Sequence, residues 1–135
     1  MIGVGSFLYF APPRLSGNVL NNQKRLMLII SIDNIDNTIT LVNISKMTGK
    51  PRCLTYSYNC LITKYNPPLP LLSFAKLNCT YVLENFQGLS NYLYKNGTKI
   101  DNSELKNIIQ RRNNFISLNP VEQISISKAE FMTIN

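Results

Sequence analysis

Apolar residues in the first two thirds of the chain occur in short runs or alternate with polar residues, and this pattern is typical of β-strands. Strands are therefore predicted at residues 5–10, 25–32, 38–45, 52–65 and 79–86, the fourth being one bent strand or two short ones. The stretch "DNIDN" at 33–37 has the composition of a turn. The strands on either side of it are predicted to form an antiparallel hairpin.

Two segments rich in proline and polar residues are predicted as loops. Residues 11–24 include Pro12 and Pro13 and form a connection longer than most, which indicates a functional or a disordered segment. Residues 66–77 contain three prolines, which argue against a helix interior or a central strand. We predict an extended loop there, with leucines that cover part of the core.

The clearest helix is predicted at residues 102–116, where apolar residues recur at helical spacing. Asp101 and Glu104 can form a capping box at its start. Further along, residues 122–127 alternate between polar and apolar. They could add an edge strand to the sheet or remain loose as an unanchored terminus.

These elements predict one mainly β domain of the α+β class. The chain has 135 residues, 44% of them hydrophobic, which suits a single compact core. The expected architecture is a small, strongly curved antiparallel sheet or barrel with a C-terminal helix packed against it. A ferredoxin-like layer is the alternative, disfavoured because no helix separates the first two strands. No apolar run approaches the roughly 20 residues of a membrane-spanning helix, so a soluble protein without a membrane partner is predicted.

The charge of the chain favours polyanionic partners. Lys and Arg number 14 against seven Asp and Glu, which leaves a formal net charge of +7. Six of the cations lie in the first 52 residues, where Asp33 and Asp36 are the only acids: Arg14, Lys24, Arg25, Lys46, Lys50 and Arg52. This end of the sequence is a candidate anion-binding face, although solubility alone could explain the charge.

Several kinds of chemistry are disfavoured by composition. The chain has no histidine, so imidazole acid–base catalysis and a Ser-His-Asp triad are excluded. Three cysteines, Cys53, Cys60 and Cys79, form no C-x-x-C pair, which supports neither a disulfide framework nor a zinc site and suggests a reduced, cytoplasmic environment. No tight carboxylate pair and no glycine-rich phosphate loop are present. We therefore predict no metal and no cofactor.

A site built from a guanidinium and a hydroxyl remains possible. Arg25 begins one strand of the predicted hairpin and Ser45 ends the other, so antiparallel pairing brings them to the same edge. Guanidinium suits phosphate geometry and can stabilise a phosphorane, and in RNA the substrate's own 2′-hydroxyl can be the nucleophile. In the structural alternative, Lys24 and Arg25 are a solvated strand end and Ser45 is a turn residue.

The sequence resembles the MazF/PemK (Kid) family of toxin ribonucleases from bacterial type II toxin-antitoxin modules. The stretch "GSFLYFAPP" is similar to the opening strand of that family, and "SGNVLNNQKRLMLIIS" to its loop followed by Arg, an apolar run and Ser. "TLVNIS" resembles the strand that ends in the catalytic threonine of the family, where this chain has Ser45, and "KNGTKIDNSELKNII" resembles its late turn and helix.

The resemblance implies a curved SH3-like barrel over residues 1–116, similar to MazF and CcdB proteins, and leaves 117–135 as a C-terminal extension of unknown role. It further implies metal-independent cleavage of single-stranded RNA, with Arg25 as the phosphate-binding acid–base catalyst and Ser45 as its hydroxyl partner. The implied partners are RNA, a second copy of the chain in a homodimer, and an acidic protein antitoxin, with an RNA antitoxin as the alternative.

In this picture the other cations supply RNA contacts, namely Arg14, Lys24, Lys46, Lys50 and Arg52. Tyr9, Tyr56 and Tyr58 could stack bases or be half-buried strand residues. A competing hypothesis is a non-catalytic binding module of the same fold, such as a gyrase poison like CcdB or a phage-type inhibitor.

Overall fold

The computed structural model describes residues 2–47, 56–63 and 68–135. The elements in this part of the chain are β1 (Phe7–Phe10), β2 (Arg14–Leu15), β3 (Val19–Leu20), β4 (Arg25–Asp33), β5 (Thr38–Lys46), β6 (Asn59–Ile62), β7 (Ser73–Lys76), β8 (Cys79–Glu84), α1 (Asn102–Leu118), β9 (Glu122–Ile126) and α2 (Lys128–Ile134). Seven strands form one mixed sheet, and β2 with β3 forms a small second one. The prediction of a mainly β, α+β fold is confirmed.

The predicted hairpin is formed by β4 and β5. Leu26 pairs with Ile44 at one end and Asp33 with Thr38 at the other, with one register shift after Ile29. At the turn, the Asp33 carboxylate accepts hydrogen bonds from two backbone N–H groups, those of Ile35 and Asp36. This local hydrogen bonding is the reason that Asp and Asn favour turns, and it sets the pairing of the two longest strands.

The sheet divides along β5. The first half of β5 pairs with β8, from Thr38 opposite Glu84 to Leu41 opposite Tyr81. The second half pairs with β7, from Ile44 to Lys46, and β7 continues to β6. Two strands thus leave the same edge of β5 in different places, and we call the gap between them the fork.

Each face of the sheet has its own hydrophobic cluster, because side chains alternate along a strand. One cluster contains Met27 of β4 and Leu41 of β5, together with Phe131 of α2. The other contains Leu28 of β4 and Ile108 of α1. Both faces are therefore covered, which explains the continuous apolar run of β4.

The C-terminal residues belong to this fold. β9 pairs in parallel with β8, whereas the other pairings among the described strands are antiparallel. α2 begins with a capping box between Ser127 and Glu130 and buries Phe131 against Phe10. The edge-strand alternative for 122–127 is the one observed, and the predicted domain boundary at 116 falls inside α1.

Two sequence predictions need correction. The segment 66–77 is not wholly a loop, since Ser73–Lys76 forms β7 between β5 and β6. Its prolines all precede this strand, so they do not interrupt a ladder. The sheet was also expected to be antiparallel throughout, but the β8–β9 pair makes it mixed. Pairing among the described strands does not close the sheet into a barrel.

The predicted helix is confirmed as α1, which runs two residues further than expected, to Leu118. The Asp101 carboxylate caps it by accepting from the backbone N–H groups of Ser103 and Glu104. The buried Glu104 carboxylate accepts from both the backbone N–H and the hydroxyl of Thr63, so it ties α1 to the sheet. Neither of the described helices is long and apolar enough to cross a membrane.

Candidate functional site

A cleft lies at the fork. It has a volume of about 380 Å³ and is lined from β4, β5, β6, β7, β8 and the segment between β1 and β4. Among the described strands, the middle of β5 is paired on one edge only, by β4, because on its other edge β8 pairs only as far as Leu41 and β7 pairs only from Ile44 onward. The division of the sheet therefore creates the cleft.

Arg25 and Ser45 meet in this cleft. Leu26 of β4 pairs with Ile44 of β5, so continuing the antiparallel register by one residue sets Arg25 opposite Ser45, with both side chains on the same face. Both residues line the cleft. The sequence prediction that they share one edge of the hairpin agrees with this geometry.

The cleft contains polar atoms that are buried without a hydrogen-bond partner. The Nε of Arg25 and the Oδ1 of Asn43 are both in this condition. Asn43 is only 6% exposed and lies opposite Met27, on the same face of β5 as Ser45. Unpaired buried polar atoms are costly, and a catalytic or binding role is one explanation for them in native structures.

The far wall of the cleft is aromatic and cationic. The rings of Tyr56 and Tyr58 are stacked, with centroids 5.2 Å apart and an interplanar angle of 5°. Lys76 of β7 lies opposite Asn59 of β6 in the register, and both line the cleft. The cleft thus has two cations, Arg25 and Lys76, and among its described lining residues it has no Asp or Glu.

An arm formed by residues 14–20, which comprise β2, a 3-10 turn and β3, borders the cleft. Leu15, Ser16 and Val19 contribute to its wall. The Glu122 carboxylate of β9 holds the arm by accepting from the Gly17 N–H at 2.8 Å and from the Ser16 hydroxyl at 2.9 Å. These hydrogen bonds, first the one from Gly17 and then the one from Ser16, lower the pKa of Glu122.

A second contact fixes the base of the arm. The Arg14 guanidinium forms an ion pair with Glu130 of α2 at 2.7 Å and donates to the Ser125 carbonyl at 2.9 Å. The hydrogen bond from Arg14 is the main reason that the pKa of Glu130 is lowered. The arm that was predicted as a functional or disordered loop is therefore an ordered element anchored to the C-terminal residues.

Of the remaining predicted RNA-binding cations, the three that the structure describes do not line the cleft. Arg14 forms the ion pair just described, and Lys24 lies over the ring of Tyr9, 5.7 Å from its centroid. Lys46 is exposed at the end of β5, next to Ser45. Lys50 and Arg52 lie outside the described residues, so the prediction for them has no structural counterpart here.

Sequence reasoning missed Asn43, Lys76 and the arm's partner Glu122. Lys76 falls within the predicted loop at 66–77. Once β7 is recognised as a strand, the position of Lys76 beside β6 follows from the pairing of the two strands. Asn43 carried a usable signal, since an amide in the apolar run "TLVNIS" is unusual in a buried strand. Glu122 carried none, because its partners lie more than a hundred residues away in sequence.

Two further titratable side chains line the cleft, Cys79 and Tyr81. Burial raises the pKa of the Cys79 thiol, and it also raises the pKa of the Tyr81 phenol. Both groups are therefore protonated at neutral pH. Across the described ranges, no group of three or more His, Cys, Asp or Glu side chains is placed to hold a metal ion.

Fold and site together define a mainly β protein with a cationic cleft, lined by a guanidinium, a hydroxyl, amides and stacked tyrosines. No protein-family model matches the sequence, and a search of curated proteins finds no match.

Proposed function

We propose that the protein is a metal-independent endoribonuclease that cleaves single-stranded RNA in the cleft at the fork. The observation that carries the proposal is the meeting of Arg25 with Ser45 in a cleft whose described lining has two cations and no carboxylate. Such a surface attracts phosphodiesters and places paired guanidinium donors beside a hydroxyl. The resemblance to MazF/PemK toxins, with their curved SH3-like barrel, supports the same conclusion.

In the proposed reaction the ribose 2′-oxygen attacks the adjacent phosphorus and gives its proton to solvent water. A 2′,3′-cyclic phosphate forms as the bond from phosphorus to the 5′-oxygen breaks, and the leaving oxygen takes up a proton from solvent water. Arg25 would hold the phosphate and stabilise the charge that grows on its oxygens in the phosphorane. Ser45 would donate to the same phosphate and keep it in line with the attacking oxygen.

The biological setting that we propose is a bacterial toxin-antitoxin module. The net charge of +7 suits both RNA and an acidic protein antitoxin, with an RNA antitoxin as the alternative. We include a homodimer in the proposal, on the basis of the family resemblance. Exposed Val19 and Leu20 on the arm offer apolar surface beside the cleft for such contacts.

Cleavage of a defined transcript in EDTA, mapped by primer extension, tests the proposal. We expect the parent protein to cut at discrete sites, Arg25→Ala and Ser45→Ala to lose cleavage, and Ser45→Thr to retain it because it keeps the hydroxyl. Lys106→Ala is the matched control, since it removes one positive charge from the exposed side of α1. Absence of cleavage, or equal cleavage by Arg25→Ala, would contradict the proposal.

A non-catalytic binding module is the second candidate, and a specific observation favours it. The cleft offers no described side chain that is ionised as a general base, because burial keeps Cys79 and Tyr81 protonated. A gyrase poison like CcdB or a phage-type inhibitor would need only the charged and aromatic surface. This candidate requires binding of a target without RNA cleavage, and growth inhibition that survives Arg25→Ala.

A further inference from the structure

Tyr56 is placed as a platform on which a flat ligand can stack. Its ring is parallel to that of Tyr58, and Tyr58 in turn packs against the hydrophobic cluster beneath α1. Tyr58 therefore covers one face of Tyr56 and supports it from the core. Tyr56 nevertheless remains 45% exposed and lines the cleft.

The platform lies at a useful distance from the candidate phosphate site. Ser45 is on β5, and Asn59, three residues after Tyr56, is two strands away on β6. In the register Ser45 lies across from Phe74 and then Leu61, and Asn59 is two residues from Leu61. With about 4.8 Å between neighbouring strands and about 3.3 Å per residue along a strand, Ser45 and Asn59 are separated by about 12 Å. A nucleotide that flanks the phosphate held by Arg25 can span a distance of this order with its base on Tyr56.

The surroundings of the platform suit a nucleobase better than a purely apolar group. Asn78 also lines the cleft, and its amide offers both donors and acceptors to the edge of a base. The described lining includes no carboxylate that would repel the phosphates on either side. Stacking is sequence-tolerant, because every base has a flat aromatic face, whereas the amide would add preference.

We propose that Tyr56, supported by Tyr58, is the stacking platform of a nucleobase subsite, and that it binds one unpaired base of single-stranded RNA beside the phosphate held by Arg25. The inference rests on the proposed function for the identity of the ligand. It adds a residue that determines how RNA is held rather than how it is cut.

Binding, measured without cleavage, tests the subsite. The probe is a fluorescent single-stranded 2′-O-methyl RNA, which lacks a free 2′-hydroxyl and so cannot be cut by the proposed reaction. Loss of one stacked base weakens binding by about 5- to 150-fold, so we expect Tyr56→Ala to bind about tenfold more weakly and Tyr56→Phe to bind as the parent does. Tyr9→Ala is the matched control, because Tyr9 is also 45% exposed but does not line the cleft.

Comparing the parent and Tyr56→Ala with an intact and an abasic probe separates the loss of stacking on Tyr56 from other effects of the substitution on RNA binding. We expect the parent to lose about tenfold in affinity when one base of the probe is removed, and Tyr56→Ala to lose nothing further at that position. Equal losses in both proteins at every position would overturn the subsite. So would a Tyr56→Ala variant that binds as tightly as the parent, or a Tyr9→Ala variant that is equally weakened.

Failure of the proposed subsite can be distinguished from failure of the proposed function. RNA cleavage together with unchanged binding by Tyr56→Ala would overturn the subsite and leave the ribonuclease standing. Binding that depends on Tyr56 without any cleavage would support the subsite within a non-catalytic module. No binding of the probe by the parent would overturn the subsite.

Discussion

The Arg25 side chain carries a buried donor that the packing around it does not satisfy. Its Nε is buried without a partner, and a buried donor in that condition costs about 1–3 kcal/mol. Nothing in the packing of β4 requires a cation there, since Met27 and Ile29 continue the same face with apolar side chains. The cost is understandable if Arg25 is kept for a ligand.

From this we expect Arg25→Met to leave the free energy of unfolding unchanged or to raise it by up to about 1 kcal/mol, while it abolishes RNA cleavage. Methionine keeps the stem of the side chain and removes the unpaired donor. Urea denaturation of the two proteins measures the difference. A variant that is clearly less stable would show that Arg25 has a structural partner and would weaken the argument for a binding role.

The relative position of two candidate site residues could be predicted from the hairpin pattern alone. Antiparallel pairing predicts that Arg25, at the start of one strand, and Ser45, at the end of the next, lie at the same edge of the hairpin, and both line the cleft. The sequence analysis did not identify Asn43 as a candidate site residue. Its Oδ1 is buried without a hydrogen-bond partner, and whether an atom has a partner depends on all of its neighbours in the folded protein. Whether a buried polar group is hydrogen-bonded is decided by the tertiary structure, so it cannot be predicted from the neighbouring residues in sequence.

At the scale of elements, the arm and the C-terminal residues are held together by hydrogen bonds and an ion pair. The arm borders the cleft, and Glu122 and Glu130 fasten it to β9 and α2. Both carboxylates have pKa values lowered from the usual 4.5. A lowered pKa in the folded state stabilises the protein above pH 4.5, and the contribution is lost as the pH falls through the folded value.

We therefore expect the arm to stay in place between pH 5 and 8 and to loosen below about pH 4.5. Glu122→Gln should be less stable than the parent at pH 7, and the two melting temperatures should converge as the pH falls below that range. Thermal melting of both proteins at several pH values measures this. A gap that persists unchanged at pH 3 would show that the charge of Glu122 does not hold the arm.

The second element-scale prediction concerns α2, which was not anticipated although "SKAE" at 127–130 has the pattern of a capping box. Phe131 is fully buried and contacts Phe10, Phe86 and Tyr92. Phe131→Ala should cost about 3–5 kcal/mol in unfolding free energy, because it opens a cavity in the core.

Urea denaturation measures this loss, and the neighbouring residue supplies its control. Met132 is 48% exposed on the same short helix, so Met132→Ala should change the free energy by less than about 0.5 kcal/mol. Equal effects of the two substitutions would contradict the packing of α2 described here. A small effect of Phe131→Ala would mean that the C-terminal residues are dispensable to the fold.

Strand prediction failed at β7 for an identifiable reason. Three prolines close together in 66–77 dominated the pattern, yet all of them precede Ser73, and the four residues of β7 are too few to show alternation clearly. Short strands depend on their partners on both sides more than on their own sequence. The error hid the fork, because the fork exists only when β7 and β8 both pair with β5.

At the scale of the whole molecule, the net positive charge and the cleft both favour binding of a polyanion. The sequence correctly indicated a mainly β fold with a late helix, whereas the division of the sheet and the parallel β9 arise from long-range pairing. That division opens a cleft on one face of a protein with a net charge of +7. The charge draws polyanions to the surface, and the cleft supplies the donors that would select and hold one phosphate.

The central claim is that Arg25 and Ser45 promote attack by the ribose 2′-hydroxyl on a phosphate held in the cleft. Single-turnover cleavage in EDTA of two RNA oligonucleotides, identical except for one 2′-deoxynucleotide at the mapped cleavage site, tests it most directly. The account predicts that only the all-ribose strand is cut at that bond and that Arg25→Ala slows the cut by at least about 10²-fold. Cleavage of the deoxy-substituted bond at the same rate, or an undiminished rate with Arg25→Ala, would contradict the claim.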